Sequence, residues 1–395
     1  MVTPHHQSPN ALQMVRTRFN RPMTVGREAA YVAQVIGSSQ TCGDGPWSRK
    51  VQDWFLQNHG SRVLPTPSCS AALDLAAILT DIGPGDEFIV PSYTFVSSAN
   101  AFVLRGARPR FADCEGGIPQ VGLAQIQRAF TPRVKVVVVV HYAGVAHELP
   151  SIAKWCRDQG VLLVEDAAQA IGTPALKDPT GAAIPVGGWG DLAAFSFHET
   201  KNVACGEGGC LVVNRNDLWE RAHIVWEKGT NRQAFFRGEV AKYGWEDVGS
   251  SFVPSELNMA YLMGQLECLP QITHQRMGLW REYHRNFTRR LPQEFIPPAH
   301  WGQTGNGHIF YVLARDAEHR SRMTQRLKHR DIAAHFHYQA LHSSPFAQRM
   351  GWVADAPHAQ RFSDTLLRLP LHLGLSTQQV RWVARQVATA WTVTA

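Results

Sequence analysis

Short runs of apolar residues alternate with amphipathic stretches between about residues 50 and 215. The runs are rich in β-branched residues, which is typical of strands buried on both faces of a parallel sheet. Amphipathic stretches at residues 71–80 and 149–158 predict helices between the strands. The pattern therefore predicts an open α/β sheet with crossover helices. The predicted strands are residues 88–90, 134–140, 161–164, 192–197 and 211–213.

The pattern changes after residue 215. Residues 256 to about 291 read as one long helical stretch, which Pro270 should kink or split. A small α/β unit follows, with predicted strands at 308–314 and 332–337, a helix near 321–329 and a last helix from Ser376. We therefore expect a large domain over 19–275 and a small C-terminal domain over 276–395. Residues 1–18 are expected to be a flexible leader.

Composition narrows the classes of protein that this chain can be. Apolar residues make up 44% and charged residues 18% of the 395 residues, which are ordinary globular values. No window is apolar enough to span a bilayer, and the N-terminal stretch has no apolar signal core. The seven cysteines are scattered without a CxxC pair, so we expect a reduced, cytoplasmic setting and no metal site. The net charge of +7 is dispersed, which disfavours nucleic acid and permits a phosphorylated small molecule.

Polar residues follow the predicted strands, and ligands of such sheets bind beyond the carboxyl ends of the strands. The first candidate is the segment 67–73, PSCSAAL, in which small polar residues precede a helix. Free N–H groups and the helix dipole favour a phosphate there, around Ser70 and Ala71. An ordinary serine N-cap is the alternative, and the segment taken alone favours it.

The second candidate is Asp166, which ends a buried strand in the segment 164–169, VEDAAQ. A buried acid is costly unless it is paired. A protonated pyridine nitrogen would be a suitable partner, because the carboxylate keeps that nitrogen charged and the ring electron-poor. A metal ion and a structural cap are the alternatives that the sequence leaves open.

The third candidate is Lys201, in the segment SFHETKN at 196–202 before the glycine-rich GEGG at 206–209. The chain has 31 arginines but only eight lysines, so a chemistry that needs an amine has few candidates. An ordinary lysine, with a pKa of about 10.4, is a poor nucleophile at neutral pH. Burial or a neighbouring cation would lower that pKa and permit Schiff-base chemistry. His198 could indicate a metal, but no second ligand lies at a useful spacing.

The three candidates together are more specific than any one of them. A phosphate cradle, a strand-end acid and, 35 residues later, a strand-end lysine resemble the order in fold-type I pyridoxal-phosphate enzymes. Several motifs resemble the DegT family of sugar aminotransferases. The resemblance continues through further segments, among them 336–338 (FHY) and 367–371 (LRLPL), and covers nearly everything from residue 19 to the C-terminus. The motifs are residues 68–72 (SCSAA), 91–95 (PSYTF), 141–144 (HYAG), 165–169 (EDAAQ) and 196–202 (SFHETKN).

The resemblance implies a role for each matching residue. Lys201 would hold pyridoxal 5'-phosphate as a Schiff base, and Asp166 would pair with its pyridine nitrogen. Phe95 would stack on the ring, Gln169 would lie near the ring hydroxyl, and the phosphate would be held by Ser70, Ala71 and Ser196. Many relatives have Asn, which reaches the phosphate of the neighbouring subunit, where this chain has Ser251; that contact is left open.

The resemblance also implies a reaction. It is closest to family members that aminate C4 of dTDP-4-keto-6-deoxyglucose with L-glutamate, and the family forms homodimers with active sites at the interface. Arg232 and Arg237 could hold the diphosphate, and His308 and His342 fall in the unit that closes over the site; surface arginines and packed histidines are the alternatives. Rival functions are amination of another keto sugar, for instance at C3, and a binding protein with a vestigial cofactor site. The dehydratase branch, with His in place of lysine, is disfavoured by Lys201.

Overall fold

A computed structural model describes residues 17–393. Its strands are β1 Val63–Thr66, β2 Glu87–Pro91, β3 Arg108–Ala112, β4 Val134–Val140, β5 Leu162–Asp166, β6 Leu176–Lys177, β7 Ala183–Ile184, β8 Leu192–Ser196, β9 Gly209–Val213, β10 Tyr311–Leu313, β11 His335–Phe336 and β12 Leu366–Arg368. Its α-helices are α1 Glu28–Ser38, α2 Pro46–Asn58, α3 Cys69–Leu79, α4 Ser97–Val103, α5 Leu123–Ala129, α6 Leu149–Gln159, α7 Trp219–Trp226, α8 Arg232–Phe236, α9 Glu256–Leu266, α10 Leu269–Phe287, α11 Trp301–Thr304, α12 Ala317–Lys328, α13 Pro345–Arg349, α14 Pro357–Thr365 and α15 Thr377–Val393.

The large sheet has seven strands in the order β1-β9-β8-β5-β4-β2-β3. The four pairs among β3, β2, β4, β5 and β8 are parallel, and β9 pairs antiparallel with β8 and β1. Asp166 at the end of β5 lies opposite Val140 of β4 and Ala194 of β8. The carboxyl ends of these central strands therefore meet at one edge, as the sequence predicts.

The large sheet is buried on both faces, because alternate residues of a strand point to opposite sides. In β4, Val136 and Val138 pack in a cluster with residues of α3 and α4. Val137 and Val139 pack in another cluster with residues of α5 and α6. This two-sided burial is why β4 consists almost entirely of valine.

The small sheet has three antiparallel strands in the order β10-β12-β11. Its core includes Phe310, Tyr283 of α10 and Val383 of α15. The same cluster includes Tyr93 and Tyr142, from loops of the large sheet, whose ring centroids lie 5.6 Å apart. The two sheets therefore share packing at the edge where the polar strand ends lie.

Several predicted boundaries differ from those in the structure. The helical stretch divides into α9 and α10 with Pro270 in the first turn of α10, as expected for a splitting proline. The predicted strand 332–337 is wrong in length: Ile332 bridges to Thr17, and only His335–Phe336 form β11. α12 begins earlier than predicted, because Asp316 caps it by accepting from the N–H of His319 at 2.7 Å.

The flexible leader predicted at 1–18 is described only at its last two residues. Residues 1–16 of the predicted leader lie outside the described residues. Thr17 and Arg18 are instead held to the C-terminal unit: the N–H of Thr17 donates to the carbonyl of Asp331 at 2.8 Å, and His372 bonds the Arg18 carbonyl at 3.1 Å. The domain boundary after residue 275 stays a prediction. Within 17–393 no helix is both long and apolar enough to cross a bilayer, and the seven cysteines are free thiols.

Candidate active site

A cavity of about 610 Å³ opens at the carboxyl edge of the large sheet, against the edge of the small one. It is lined by residues from both sheets. Most of the predicted cofactor residues line it, whereas Ala71 does not. The lining residues predicted from the sequence are Ser70, Phe95, Asp166, Gln169, Ser196, Lys201 and His308.

Lys201 lies in the turn after β8, where its N–H donates to the carbonyl of His198 at 2.9 Å. Its amine makes no hydrogen bond with any residue in 17–393. Burial lowers the pKa of Lys201 below the ordinary lysine value, and it outweighs the opposing effects of Cys69 and Asp166. A lowered pKa raises the neutral fraction of the amine near pH 7, and the neutral amine is the nucleophile.

Asp166 is 6% exposed at the end of β5. The hydroxyl of Ser98 donates to its Oδ2 at 2.6 Å, and the N–H of Ala168 donates to its Oδ1 at 3.1 Å. Thr94 in turn bonds the Ser98 hydroxyl at 2.9 Å. The carboxylate is thus held in one orientation while it still lines the cavity.

The predicted phosphate cradle consists of hydroxyls at the N-terminus of α3. The hydroxyls of Ser70 and Ser97 lie 2.7 Å apart, and Ser196, at the end of β8, is buried. The N–H of Ala71 donates to the Ser68 hydroxyl at 3.1 Å, so in this structure it serves the N-cap rather than the cavity. Ser68 therefore caps the helix, and its neighbours line the cavity; phosphate binding by this segment stays a prediction.

Glycine at position 209 lets β9 pass directly beneath that helix terminus. A Cβ atom at Gly209 would lie 2.5 Å from the backbone nitrogen of Cys69 and 2.5 Å from the carbonyl carbon of Ser68. Any side chain there would push α3 away from the cavity. The close approach of β9 therefore explains the glycine that ends the GEGG segment.

Phe95 and Gln169 both line the cavity, and both side chains approach Tyr338. The Phe95 ring is 54% exposed, and its centroid is 5.9 Å from that of Tyr338. Gln169 is buried: its Oε1 accepts from the N–H of Ala143 at 2.8 Å, and its Nε2 donates to the Tyr338 hydroxyl at 3.1 Å. An exposed aromatic face and an oriented amide suit a flat polar ring bound in the cavity.

The two histidines predicted to bind substrate lie in different places. His308 lines the cavity and bonds Oδ1 of Asn202 through Nδ1 at 2.9 Å; burial lowers its pKa well below the ordinary value. His342 does not line the cavity, and its Nδ1 bonds the Ser92 hydroxyl at 2.6 Å. Of the two predictions, only that for His308 has support from the geometry.

Arg232 and Arg237 lie outside the lining of the cavity, at the two ends of α8. Arg232 approaches Glu227 at 3.6 Å, and Arg237 donates through Nε to Glu239 at 2.6 Å. Ser251 is exposed and its backbone bridges to Glu227. The diphosphate roles of the two arginines and the phosphate contact of Ser251 stay predictions.

Sequence reasoning missed three residues of the site. Ser98 orients Asp166, Tyr338 bonds Gln169, and Arg368 places a cation in the lining. Tyr338 and Arg368 fall in segments that resemble the family, at 336–338 and 367–371, but no spacing rule connects them to Asp166. Ser98 lies in α4 and Thr94 in the loop before it, so no periodicity in the sequence connects either residue to Asp166.

The lining fits the cofactor that the resemblance implies. Lys201 offers an amine with no hydrogen-bond partner, and Asp166 a carboxylate for the pyridine nitrogen. Ser70, Ser97 and Ser196 offer hydroxyls for a phosphate, beside the N-terminus of α3. The described acidic and histidine cluster with metal-ligand spacing, Glu115 with His147 and Glu148, contributes no residue to this lining.

The chain is similar in sequence to known aminotransferases. The model of the DegT/DnrJ/EryC1/StrS aminotransferase family matches residues 23–388. A protein of Saccharopolyspora spinosa, named dTDP-4-dehydro-2,3,6-trideoxy-D-glucose 4-aminotransferase, is 30% identical over 376 residues, covering 93% of this chain and 94% of that protein.

Solved structures of aminotransferases also match the fold of this chain. The aminotransferase TlmJ of Streptoalloteichus hindustanus matches with a TM-score of 0.86 at 29% identity, covering 96% of this chain and 100% of the other. The PLP form of the sugar aminotransferase Spr1654 of Streptococcus pneumoniae matches with a TM-score of 0.86 over 96% and 100% of the chains, and at 22% identity it supports the fold alone. The predicted fold class, a fold-type I α/β protein with a mostly parallel sheet between helices, is confirmed.

Proposed function

The chain belongs to the DegT/DnrJ/EryC1/StrS aminotransferase family, and from this premise we propose that it transfers the amino group of L-glutamate to C4 of dTDP-4-keto-6-deoxyglucose. The product would be dTDP-4-amino-4,6-dideoxygalactose. The enzyme class and cofactor predicted from the sequence are confirmed: the chain is an aminotransferase of nucleotide-linked sugars that uses pyridoxal phosphate.

One observation carries the reaction type. Lys201, whose pKa is lowered by burial, lines the same cavity as the oriented carboxylate of Asp166. An amine that burial disposes to lose its proton, in one cavity with an oriented carboxylate, is the pair that transamination requires. The choice of C4 and of a dTDP-linked sugar is supported by the name of the Saccharopolyspora spinosa relative, which is 30% identical.

The proposed reaction has two halves that balance. In the first, glutamate gives up its amino group and takes up the oxygen of one water molecule to become 2-oxoglutarate. In the second, the amino group replaces the C4 keto oxygen of the sugar, which leaves as water. Pyridoxal phosphate, when bound, supplies an electron-poor ring that stores the electron pair of a broken C–H bond and carries the amino group between the substrates.

The residues of the chain supply the rest. Lys201 is the only lysine in the lining, so its amine takes the α-proton of the donor and later delivers a proton to C4 of the sugar. Asp166 would hold the pyridine nitrogen of the cofactor in its protonated form, and Ser98 and Ala168 orient Asp166. Phe95 would cover one face of the cofactor ring, and Tyr338 bonds Gln169 in the lining of the cavity.

The proposal includes the cellular setting and the assembly. We place the reaction in the cytoplasm, in a homodimer whose active sites lie at the subunit interface, with the product used in polysaccharide biosynthesis such as that of enterobacterial common antigen. Exposed apolar side chains near α8, including Phe236 at 64% and Trp245 at 84%, support a covered face.

The decisive experiment incubates the holoenzyme with L-glutamate and dTDP-4-keto-6-deoxyglucose and identifies the product by NMR. We expect an amino group at C4 in the galacto configuration, and none from the matched variant Lys201→Ala. A parallel incubation uses a 3-keto sugar nucleotide. If the enzyme aminates that sugar at C3 and leaves the 4-keto sugar unchanged, the proposed substrate is wrong. If glutamate neither converts the cofactor to its amine form nor supports amination, the proposed donor is wrong.

A further inference from the structure

Arg368 is a cation in the active-site cavity for which the reaction outlined above has no role. It ends β12, the middle strand of the small sheet, opposite Tyr311 of β10 and His335 of β11. Its guanidinium lies over the Phe19 ring, with 4.6 Å between its central carbon and the ring centroid. The side chain lines the same cavity as Lys201 and Asp166.

The guanidinium of Arg368 has no hydrogen-bond or ion-pair partner in the described part of the chain. No hydrogen bond or ion pair joins it to any residue in 17–393, and its Nε is buried without an acceptor. Arg276 behaves differently: its guanidinium nitrogens donate to the carbonyls of Gly307, His308 and Leu371 at 3.0 to 3.1 Å. An unpaired, partly buried cation is costly, so an anion from outside the chain is the natural partner of Arg368.

The charges of the other lining residues also indicate that the partner of Arg368 is an anion from outside the chain. Its acids are Asp166, which already accepts from Ser98 and Ala168, and Glu207, which lies 3.6 Å from His198. The positive charge of Arg368 adds to burial in lowering the pKa of Lys201. A bound anion beside Arg368 therefore offsets a positive charge that the protein itself leaves unpaired.

Three anions enter this cavity in the proposed reaction: the cofactor phosphate, the nucleotide diphosphate and the carboxylate of the amino donor. The hydroxyls that suit the phosphate come from α3, α4 and β8, whereas Arg368 comes from the small sheet. The diphosphate is separated from C4 by the sugar ring. The α-carboxylate is bonded directly to the carbon from which Lys201 takes its proton, so it must lie deep in the cavity.

We propose that Arg368 binds the α-carboxylate of the amino donor and thereby makes the enzyme specific for an amino acid in the first half-reaction. The planar guanidinium matches a carboxylate with two parallel hydrogen bonds. The inference rests on the proposed function, but it needs only an amino-acid donor and not the particular sugar.

The test separates the two half-reactions by stopped-flow absorbance. Donor conversion is followed with L-glutamate alone, and the second half with enzyme loaded with pyridoxamine phosphate and the keto sugar. For Arg368→Gln we expect the apparent dissociation constant for glutamate to rise about 100-fold, and for Arg368→Lys about 10-fold, since a charged hydrogen-bonded partner is lost or weakened. The second half-reaction should change by less than about 3-fold.

The matched control is Arg315→Gln. Arg315 also lies over an aromatic ring, that of Trp391 at 4.4 Å, but it does not line the cavity. Its variant should bind glutamate with unchanged affinity. A second readout is calorimetric titration of the pyridoxal form with 2-oxoglutarate and with succinic semialdehyde, which lacks the α-carboxylate. Arg368→Gln should weaken only the first.

Each other outcome overturns the inference. A defect confined to the sugar half-reaction assigns Arg368 to the diphosphate, and a weakened affinity for pyridoxal phosphate assigns it to the phosphate. If both Arg368 variants fail to fold, Arg368 is required for the fold itself, and its assignment to the donor carboxylate is overturned. If wild type ignores glutamate but converts with another amino acid, the donor proposal fails and the same comparison with that donor still tests Arg368.

Discussion

The hydroxyl of Ser98 donates to Oδ2 of Asp166 at 2.6 Å across 68 positions of sequence. Ser98 is in the first turn of α4, and Asp166 ends β5. Both are buried, and Thr94 bonds the Ser98 hydroxyl in turn. Asp166 is thus oriented by a side chain of α4, so the position of its carboxylate depends on how α4 packs against the large sheet.

Replacing Ser98 by Ala should reduce kcat by about 10- to 100-fold, because a hydrogen bond to a charged group contributes about 1.5–3 kcal/mol. Steady-state kinetics with glutamate and the keto sugar measure the effect. Ser98→Thr keeps a hydroxyl and should recover most of the activity. If Ser98→Ala retains full kcat, the Ala168 N–H alone orients Asp166.

Lys201 should lose its proton at a lower pH than an ordinary lysine, because burial lowers its pKa. In the cofactor-free protein, its acetylation rate should therefore reach a plateau below the pH expected from the ordinary pKa of about 10.4. Competitive labelling followed by peptide mass spectrometry gives the profile. A midpoint equal to that of free lysine would show that the amine is solvated.

Glu165 should stabilise the fold at neutral pH. Burial raises the pKa of Glu165, but bonds from His141 and from the N–H groups of Gly190 and Gly187 outweigh it, so the pKa is lowered. A lowered folded-state pKa contributes stability above the unfolded pKa, near 4.3, and this is lost as pH falls through the folded value.

The variant Glu165→Gln should therefore lose about 3 kcal/mol of unfolding free energy at pH 7, because buried N–H donors lose their acceptor. Urea unfolding at pH 7 and at successively lower pH measures the difference, which should shrink once the pH falls below about 4. An unchanged difference at every pH would assign the effect to packing instead of charge.

Gly209→Ala should weaken binding of pyridoxal phosphate by about 10-fold or more, because the new methyl group would overlap the backbone at Cys69 and shift α3. Overpacking of this kind costs about 1–3 kcal/mol, which is also the expected loss of stability. Absorbance titration gives the affinity. The matched control is Gly278→Ala in α10, where a Cβ meets no atom within 4 Å and the helix should gain slightly in stability.

The sequence predicted the central strands because their signal is local. β4 and β5 are short apolar runs buried on both sides, so their composition is dictated by the sheet itself. β3, with the sequence RPRFA, was missed because its arginines interrupt the apolar run. β12, with the sequence LLR, was missed because three residues are too few to show a pattern. The strand predicted at 332–337 was too long, because Ile332 pairs with Thr17 and His337 leaves the sheet to line the cavity.

The site was predictable as far as each residue carried its own signal. Lys201, Asp166 and Ser196 end or follow recognisable strands, and the structure brings them to one cavity. Ser98 and Arg368 carry no such signal, because their roles arise from contacts between segments far apart in sequence. Ala71, His342, Arg232 and Arg237 were predicted from composition or resemblance, and the structure places none of them in the lining.

The central claim is that Lys201 holds the cofactor. The most direct measurement is reduction of the holoenzyme with borohydride, which fixes the cofactor to its amine, followed by proteolysis and mass spectrometry. We predict that the pyridoxyl mass appears on the peptide containing Lys201 and on none of the other seven lysines of the chain. A label on a different lysine, or a variant Lys201→Ala that keeps near-normal turnover, would contradict the account.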